Sequence, residues 1–247
     1  MNHNEFLKKL ESGQLRSAEI NENNNWKVNI AVKQQILDIF GSSKIIDMEN
    51  NFRDKENLKI RNFSGDKNGI RIVPGGTSIR AGTYIGNKVV IMPPSYVNIG
   101  AYVDDESMID SHVLVGSCAQ IGKRVHLSAG VQIGGVLEPI GQQPTIIEDD
   151  CFIGAGAILT EGILLRKNTI IAPGVILSAS IPIYDIVNET IYKCEIPSNA
   201  IVVSGTRPIG NNRTWAQQIG INVSCALIIK YRDEKTEKSI ELEKILR

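Results

Sequence analysis

The chain has few aromatic residues and no surplus of charge of either sign. Aromatic side chains account for 5% of its 247 residues, and 27 basic residues balance 27 acidic ones, for a formal net charge of +0. Because no run of like charges stands out, nucleic acids and membrane surfaces are not expected as main partners. The chain also lacks an apolar stretch of transmembrane length and the basic-then-apolar start of a signal peptide, so we expect a cytoplasmic protein.

Cysteine and histidine are scarce as well. The cysteines form neither a C-x-x-C pair nor a paired framework, which predicts free thiols in a reducing compartment. They are Cys118, Cys151, Cys194 and Cys225. A zinc site with three histidine ligands would need every histidine of the chain, namely His3, His112 and His126. Because His3 lies at the terminus, no metal is expected.

What the sequence does contain is a six-residue repeat. Neither the helical period of 3.6 nor the strand period of 2 explains such spacing, but a hexapeptide repeat does. Eleven aliphatic residues follow it: Val73, Ile79, Ile85, Ile91, Val97, Val103, Ile109, Val115, Ile121, Leu127 and Ile133. A small or aliphatic residue stands four positions after each, from Thr77 to Leu137, and both positions are expected to point inward. Three repeats would close one triangular coil that rises about 4.8 Å.

The repeat also predicts where the chain turns and where it is interrupted. The residue after each aliphatic position is expected to form a corner, where left-handed or extended backbone favours glycine, asparagine or aspartate. The repeat stops after Leu137 and resumes at Ile147 with its phase shifted by two, which predicts a loop over 138–145. A second insertion, 184–195, predicts a small hairpin around Asn188 and Glu189. The resulting prism would hold about six coils.

Three segments follow from these patterns. Residues 1–70 are predicted to form an N-terminal cap domain with a helix over 28–40 and a short strand over 44–48. Residues 71–205 form the prism, and residues 206–247 form a C-terminal capping segment with a strand over 223–231 and a helix over 238–247. Caps are expected because an open solenoid end exposes unpaired backbone. Within the prism, Cys151 falls on an inward packing position and Cys118 on an outward one, with no base placed beside it.

Several segments carry a more specific pattern than the repeat itself. They include RIVP at 71–74, YVNIGAYVD at 96–104, VGSCAQIGK at 115–123 and IGGVLEP at 133–139, together with 108–110, 125–128 and 144–149. With 10–16 and 202–205, these segments resemble the tetrahydrodipicolinate N-succinyltransferases, and the resemblance covers most of the chain. It implies a left-handed parallel β-helix, an all-β core that carries the small α-helical N-terminal cap and the C-terminal strand and helix.

The resemblance also implies an activity and a set of site residues. Members transfer succinyl directly from succinyl-CoA to a cyclic imino dicarboxylate that opens by hydration, and they are homotrimers with sites between neighbouring prisms. By this resemblance Arg71 would pair with a substrate carboxylate, Asp110 would hold and deprotonate the amine, and Gly135 would let the backbone approach the reacting centre. Basic residues would meet the CoA phosphates: Arg166, Lys167, Arg207 and Lys230.

Other interpretations of these residues stay open. Asp110 stands at a corner position, as Asp104 does with no proposed chemistry, and Arg71 could be a solvated surface residue. His112 and His126 are interpreted as structural or surface residues. The family has a glutamate at the place of Ile158 and a basic residue at the place of Pro182, which leaves Glu161 as the acid nearby.

These departures leave two other functions open. An N-acyltransferase of the same build could act on another amine, such as an amino sugar or a specialised amino acid, or could use acetyl-CoA or another acyl-CoA. A non-catalytic relative could keep the prism without its chemistry.

Overall fold

A computed structural model describes residues 1–48, 51–210 and 212–233. The N-terminal domain contains two helices and two small hairpins: α1 (His3–Glu11), β1 (Ala18–Ile20), β2 (Trp26–Val28), α2 (Ile30–Ser42), β3 (Ile45–Asp47) and β4 (Arg53–Lys55). Asparagine begins both helices, because Asn2 Oδ1 accepts from Glu5 N and Asn29 Oδ1 accepts from Val32 N. The predicted helix and short strand of this domain are confirmed as α2 and β3; α1 is an additional element.

Beyond this domain the chain winds into a triangular prism with three parallel faces. The first face contains β5 (Arg71–Ile72), β8 (Val90–Ile91), β11 (Met108–Ile109), β14 (His126–Leu127), β17 (Phe152–Ile153) and β20 (Ile170–Ile171). The second face contains β6 (Ser78–Ile79), β9 (Tyr96–Val97), β12 (Leu114–Val115), β15 (Gln132–Ile133), β18 (Ile158–Leu159) and β21 (Ile176–Leu177). The third face contains β7 (Tyr84–Ile85), β10 (Tyr102–Val103), β13 (Gln120–Ile121), β16 (Ile146–Ile147), β19 (Leu164–Leu165) and β24 (Glu195–Ile196). The six-coil prediction is confirmed.

The prism closes at its far end with irregular elements. Here β25 (Ala200–Pro208) and β26 (Asn222–Tyr231) pair as a long antiparallel ribbon, with α3 (Thr214–Gln218) between them. The predicted hairpin is present as β22 (Ile183–Asp185) and β23 (Thr190–Tyr192), and β22 pairs with β26. The predicted C-terminal strand is β26, whereas the helix predicted over 238–247 lies outside the described residues.

Strand register confirms the repeat and corrects it at two ends. Most paired strands lie 18 residues apart, as Tyr84 and Tyr102 do, and Gln120 pairs with Ile146 because the 138–145 loop is inserted between them. At the start, Ile72 pairs with Ile91, so Ile72 and not Val73 occupies the first inward position. Leu137 was expected to point inward but packs against the N-terminal domain, because the insertion begins there.

The corners also differ from expectation in which residue turns left-handed. Positive φ occurs at the third residue after the aliphatic one, as at His112 (φ 62) and Gly100 (φ 75), and not at the first. This arrangement matches a turn whose second central residue is left-handed. Glycine at the first position serves close packing instead: a Cβ on Gly122 would lie 2.7 Å from the amide nitrogen of Asp149 in the next coil.

The N-terminal domain covers the third face and the corner that precedes it. Phe6, Leu10 and Ile36 form a cluster with Ile99 and Cys118 of that corner. Cys118 therefore points out of the prism, as predicted, yet it is buried beneath the domain. Cys151 is buried in the prism core, as its repeat position predicts. Within the described residues, no helix is long and apolar enough to cross a membrane.

Candidate active site

Arg71 and Asp110 lie on the same side of the prism. Arg71 is an exposed residue of β5, at the start of the first face, and its side chain forms no ion pair within the described residues. Val90 and Met108 follow it in the outward column of that face. Asp110 begins the corner between the first and second faces, here called the first corner, two residues after Met108. The two side chains are thus two coils apart, about 10 Å along the prism axis.

The Asp110 carboxylate is half-buried and partly engaged. Its Oδ1 accepts the amide N–H of Ser111 at 2.7 Å. Asp104 makes the same bond to the N–H of Asp105 at 2.8 Å, so this contact belongs to the corner geometry and not to a site. Within the described residues no other donor reaches the Asp110 side chain, which leaves its second oxygen for an external amine. Location, not local conformation, distinguishes Asp110 from Asp104.

Gly135 lies at the second corner, between the second and third faces. A Cβ there would stand 2.4 Å from the amide nitrogen of Ser117 in the coil below, so only glycine fits. The amide at this corner position donates to a carboxylate in other coils, as Ser111 N does to Asp110 and Lys123 N does to Asp149 at 3.0 Å. Within the described residues the Gly135 amide has no such acceptor. Gly135 itself is exposed, so its amide is a candidate donor for a ligand oxygen.

Within one chain these residues are not brought together. Asp110 and Gly135 occupy opposite edges of the second face, separated by a segment that spans on the order of 20 Å when extended. The 138–145 loop begins three residues after Gly135, at the same corner. One prism thus presents two candidate half-sites: Arg71 with Asp110 at one edge, and Gly135 with the loop at the other.

The departures from the family pattern lie on the second face and above it. Ile158 points outward between Gln132 and Ile176. Glu161 is exposed at the second corner, one coil above Gly135, and its Oε2 accepts the N–H of Ala179 at 2.9 Å. The backbone oxygen of Pro182 accepts from Ala226 N, at the base of the hairpin.

The four basic residues predicted for CoA are spread over two regions. Arg166 and Lys167 lie at the corner between the third and first faces, the third corner, where charges alternate in sign from coil to coil. Arg166 pairs with Glu148 at 3.1 Å and with Glu195 at 2.7 Å, and Lys167 lies 3.6 Å from Asp149. Arg207 and Lys230 lie instead on the ribbon, in β25 and β26.

The two prism histidines occupy structural positions. His126 is 8% exposed and meets Phe152 edge-on, with ring centroids 5.0 Å apart. His112 is the left-handed residue of the first corner, and its amide donates to Pro94 O. Sequence reasoning missed Lys33, a fully buried lysine of α2 that contacts the 138–145 loop. No periodic or motif signal marks it.

Two known protein families match parts of this chain, one in the N-terminal domain and one in the prism. Residues 3–41 match the family described as Tetrahydrodipicolinate N-succinyltransferase N-terminal, and residues 144–179 match the Hexapeptide repeat of succinyl-transferase. The match at 3–41 covers α1 and all of α2 except its last residue.

Curated relatives match nearly the whole chain. A 2,3,4,5-tetrahydropyridine-2,6-dicarboxylate N-succinyltransferase from Wolbachia sp. subsp. Brugia malayi is 40% identical over 246 residues, which cover 98% of this chain and 86% of the relative. The protein of the same name from Sodalis glossinidius is 40% identical over 99% of this chain and 88% of its own length. That from Bradyrhizobium diazoefficiens is 39% identical over 98% of this chain and 88% of its own length.

A solved structure matches the fold. The crystal structure of a Campylobacter jejuni protein, described as a 2,3,4,5-tetrahydropyridine-2-carboxylate N-succinyltransferase, superposes with a TM-score of 0.51 at 17% identity. The match covers 95% of this chain and 62% of that one. At this identity the likeness concerns the fold alone, which is the left-handed parallel β-helix of hexapeptide repeats.

Proposed function

Because this chain belongs to the tetrahydrodipicolinate N-succinyltransferase family, we propose that it transfers succinyl from succinyl-CoA to the amine of hydrated, ring-opened tetrahydrodipicolinate. The observation that carries the assignment is the identity of about 40% with relatives of that name over 98% of the chain. The activity is an N-acyl transfer, and its product is an amide.

The chemistry needs three contributions from the protein. The amine nitrogen attacks the thioester carbonyl carbon, the C–S bond breaks, and CoA leaves as a thiol. A base must take the proton that the amine loses, a donor must stabilise the oxyanion of the tetrahedral intermediate, and a cation must hold the acceptor in place. No covalent intermediate with the enzyme is required.

The half-sites supply these groups. Asp110, with one carboxylate oxygen unengaged, is the proposed base and amine anchor. Arg71, exposed and unpaired within the described residues, is the proposed partner of one acceptor carboxylate, for which its planar guanidinium is suited. The free amide of Gly135 is the proposed oxyanion donor.

The half-sites meet if three prisms associate in parallel. The outward column of the first face supports such a trimer, because four of its five residues from Val90 to Ile170 are apolar. They are Val90, Met108, Phe152 and Ile170, and the fifth is His126. An apolar face of this length indicates a protein interface. The first corner of one prism would then face the second corner and the loop of its neighbour, so each site would combine Asp110 of one chain with Gly135 of the next.

The proposed co-substrate is an acyl-CoA. An acyl-CoA would lie in the groove between prisms, with Lys230 and Arg207 of the ribbon as proposed phosphate contacts. Arg166 and Lys167 remain predicted contacts too, although a phosphate there would compete with Glu148, Glu195 and Asp149.

An acyl transfer assay with two thioesters tests the proposal. CoA release should require tetrahydrodipicolinate, and amino sugars or simple amino acids should not replace it. Because Ile158 and Pro182 depart from the family pattern, we expect the ratio of kcat/KM for succinyl-CoA to that for acetyl-CoA to be below a thousandfold. Activity only with another amine would support the second function, and no transfer to any amine would support a non-catalytic role.

A further inference from the structure

One lysine links the N-terminal domain to the loop beside the second corner. Lys33 lies in α2, and its side chain is 0% exposed. Its ammonium group donates to the carbonyl oxygens of Pro139 at 3.2 Å and of Gln142 at 2.8 Å. Both acceptors belong to the 138–145 loop. The lysine therefore reaches from one domain into a loop of the other.

The surroundings of Lys33 do not otherwise favour a charge. Its helix neighbours Val32, Ile36 and Ile39 are buried apolar residues, and Cys118 lies close by. Within the described residues no carboxylate pairs with the ammonium group, and burial lowers the pKa of Lys33. Because an ammonium group is costly to bury, an apolar side chain would suit this position better if packing were its only role. Holding two loop carbonyls is what the charge adds.

The loop is held from its other side as well. The Gln143 side chain donates to Gly162 O at 3.1 Å, and a Cβ on Gly162 would lie 2.5 Å from Gln143 O. Pro144 and Thr145 are buried. The loop is thus clamped between the N-terminal domain and the next coil, and it leaves the prism three residues after Gly135.

We propose that Lys33 is a positioning residue for acyl transfer: it fixes the 138–145 loop, and through the loop the Gly135 corner, in the geometry that the reaction needs. The inference rests on the proposed function, because Gly135 and the loop form one half-site of that reaction. It gives the N-terminal domain a part in catalysis without any contact between Lys33 and the substrates.

The test compares Lys33→Met with wild type and with Ile36→Val. Lys33→Met keeps the side chain up to the place of Cε and removes the ammonium group, whereas Ile36→Val loosens the same cluster and leaves Lys33 and its two acceptors in place. We expect amide exchange over 138–145 to rise about tenfold or more in Lys33→Met. We also expect kcat/KM to fall by about tenfold to a hundredfold, as misplacement of a site element does, while particle mass and circular dichroism stay unchanged. Ile36→Val should change neither exchange in the loop nor kcat/KM.

Two results would overturn the inference: unchanged loop exchange in Lys33→Met, or faster exchange with unchanged kcat/KM. If Lys33→Met does not fold, Lys33→Gln, which keeps a donor for one carbonyl, takes its place with intermediate effects expected in both measurements. Wild-type transfer is measured first. A wild type that transfers no acyl group contradicts the proposed function, and the inference about catalysis then fails with it. Loop exchange in the variant still shows whether Lys33 holds the loop.

Discussion

Asp110 and Asp104 occupy equivalent corner positions, so a comparison of the two separates a catalytic role from a structural one. Both begin a corner, and both accept the next amide, at 2.7 Å and 2.8 Å. If Asp110 takes the proton of the amine, Asp110→Asn should lower kcat by on the order of a hundredfold or more, because an amide cannot act as the base. Asp104→Asn is the matched control and should keep near-normal turnover. Steady-state kinetics of both variants decide the matter, and equal losses would assign Asp110 to the corner alone.

Arg71 is exposed at the start of the first face, so its replacement should not disturb the core. A charge-assisted bond to an acceptor carboxylate is worth about 1.5–3 kcal/mol, which is roughly a ten- to hundredfold effect on binding. We expect Arg71→Ala to lose most of the preference for dicarboxylate over monocarboxylate acceptors, with little change in the KM for the acyl-CoA. The ratio of kcat/KM for two such acceptors measures this preference. A preference equal to that of wild type would remove Arg71 from the site.

The cysteines should differ sharply in reactivity. Burial raises the pKa of Cys118 to about 11 and that of Cys151 to about 12. A thiol reacts as its thiolate, so at pH 8 only roughly a thousandth of Cys118 would be reactive even if reagent could reach it. We expect a coloured disulfide reagent to modify Cys194, which is partly exposed, in the native protein, and all four cysteines in denaturant. Rapid modification of the Cys118 thiol in the native protein would show that the N-terminal domain opens.

At the scale of elements, periodic positions were predictable and interruptions only in part. An inward residue of a repeat has the same environment in every coil, so Ile121 or Leu127 could be placed from spacing alone. Val73 and Leu137 stand at the two ends of the unbroken repeat, where the chain enters the coil or leaves it, and spacing carries no information about such ends. The left-handed corner residue was missed because Lys88, Glu106 and Arg124 adopt positive φ without being glycine or asparagine.

The β22–β23 hairpin depends on one buried carboxylate. Asp185 is 2% exposed and accepts from Tyr231 Oη at 2.6 Å, from Asn188 Nδ2 at 2.9 Å, and from the amides of Val187 and Asn188. Burial alone would raise its pKa, but these bonds outweigh it and lower the pKa of Asp185. A lowered carboxylate pKa stabilises the fold above the unfolded value of about 3.9, and this stability is lost as the pH falls through the folded value.

Replacing Asp185 should therefore weaken the protein in a pH-dependent way. We expect Asp185→Ala to lower the free energy of unfolding by about 2–4 kcal/mol at pH 7, because several donors lose their acceptor. The difference in unfolding free energy between Asp185→Ala and wild type should shrink as the pH falls below about 4, because wild type then begins to lose the stabilisation that the carboxylate provides. Denaturant titrations at pH 7 and at a pH below about 4 measure this difference, with Thr190→Ala in the same hairpin as the control. A gap that does not depend on pH would contradict the electrostatic account.

At the scale of the molecule, the prism presents three different sides. The third face is covered by the N-terminal domain, and the third corner carries ion pairs in successive coils, such as Lys123 with Asp105 at 3.1 Å and Arg124 with Asp150 at 2.7 Å. Exposed pairs of this kind add little stability each, but they keep the corner hydrated. The first face instead presents Val90, Met108, His126, Phe152 and Ile170 outward, a column without aspartate, glutamate, lysine or arginine.

Only part of the candidate site could be predicted from one sequence. Arg71, Asp110 and Gly135 are predicted from the residues around them, yet one chain holds them at two edges of the prism. Nothing in a single sequence states which edges meet when chains associate. Lys33 could not be found either, because its acceptors Pro139 and Gln142 lie 106 and 109 residues away along the chain. Contacts of that range exist only once the N-terminal domain is docked on the prism.

The first face is the proposed interface between chains. Phe152 stands in the outward column of the first face, next to His126, so a carboxylate there would lose its hydration in a trimer. We expect light scattering to give three times 27.1 kDa for wild type and the mass of one chain for Phe152→Asp at micromolar concentration. Acyl transfer should disappear with the trimer, because Asp110 and Gly135 would no longer meet. Ile20→Asp, at a residue of β1 that is 48% exposed, places the same charge outside this face and should leave both mass and activity unchanged. A Phe152→Asp trimer with full activity would place the interface on another side of the prism.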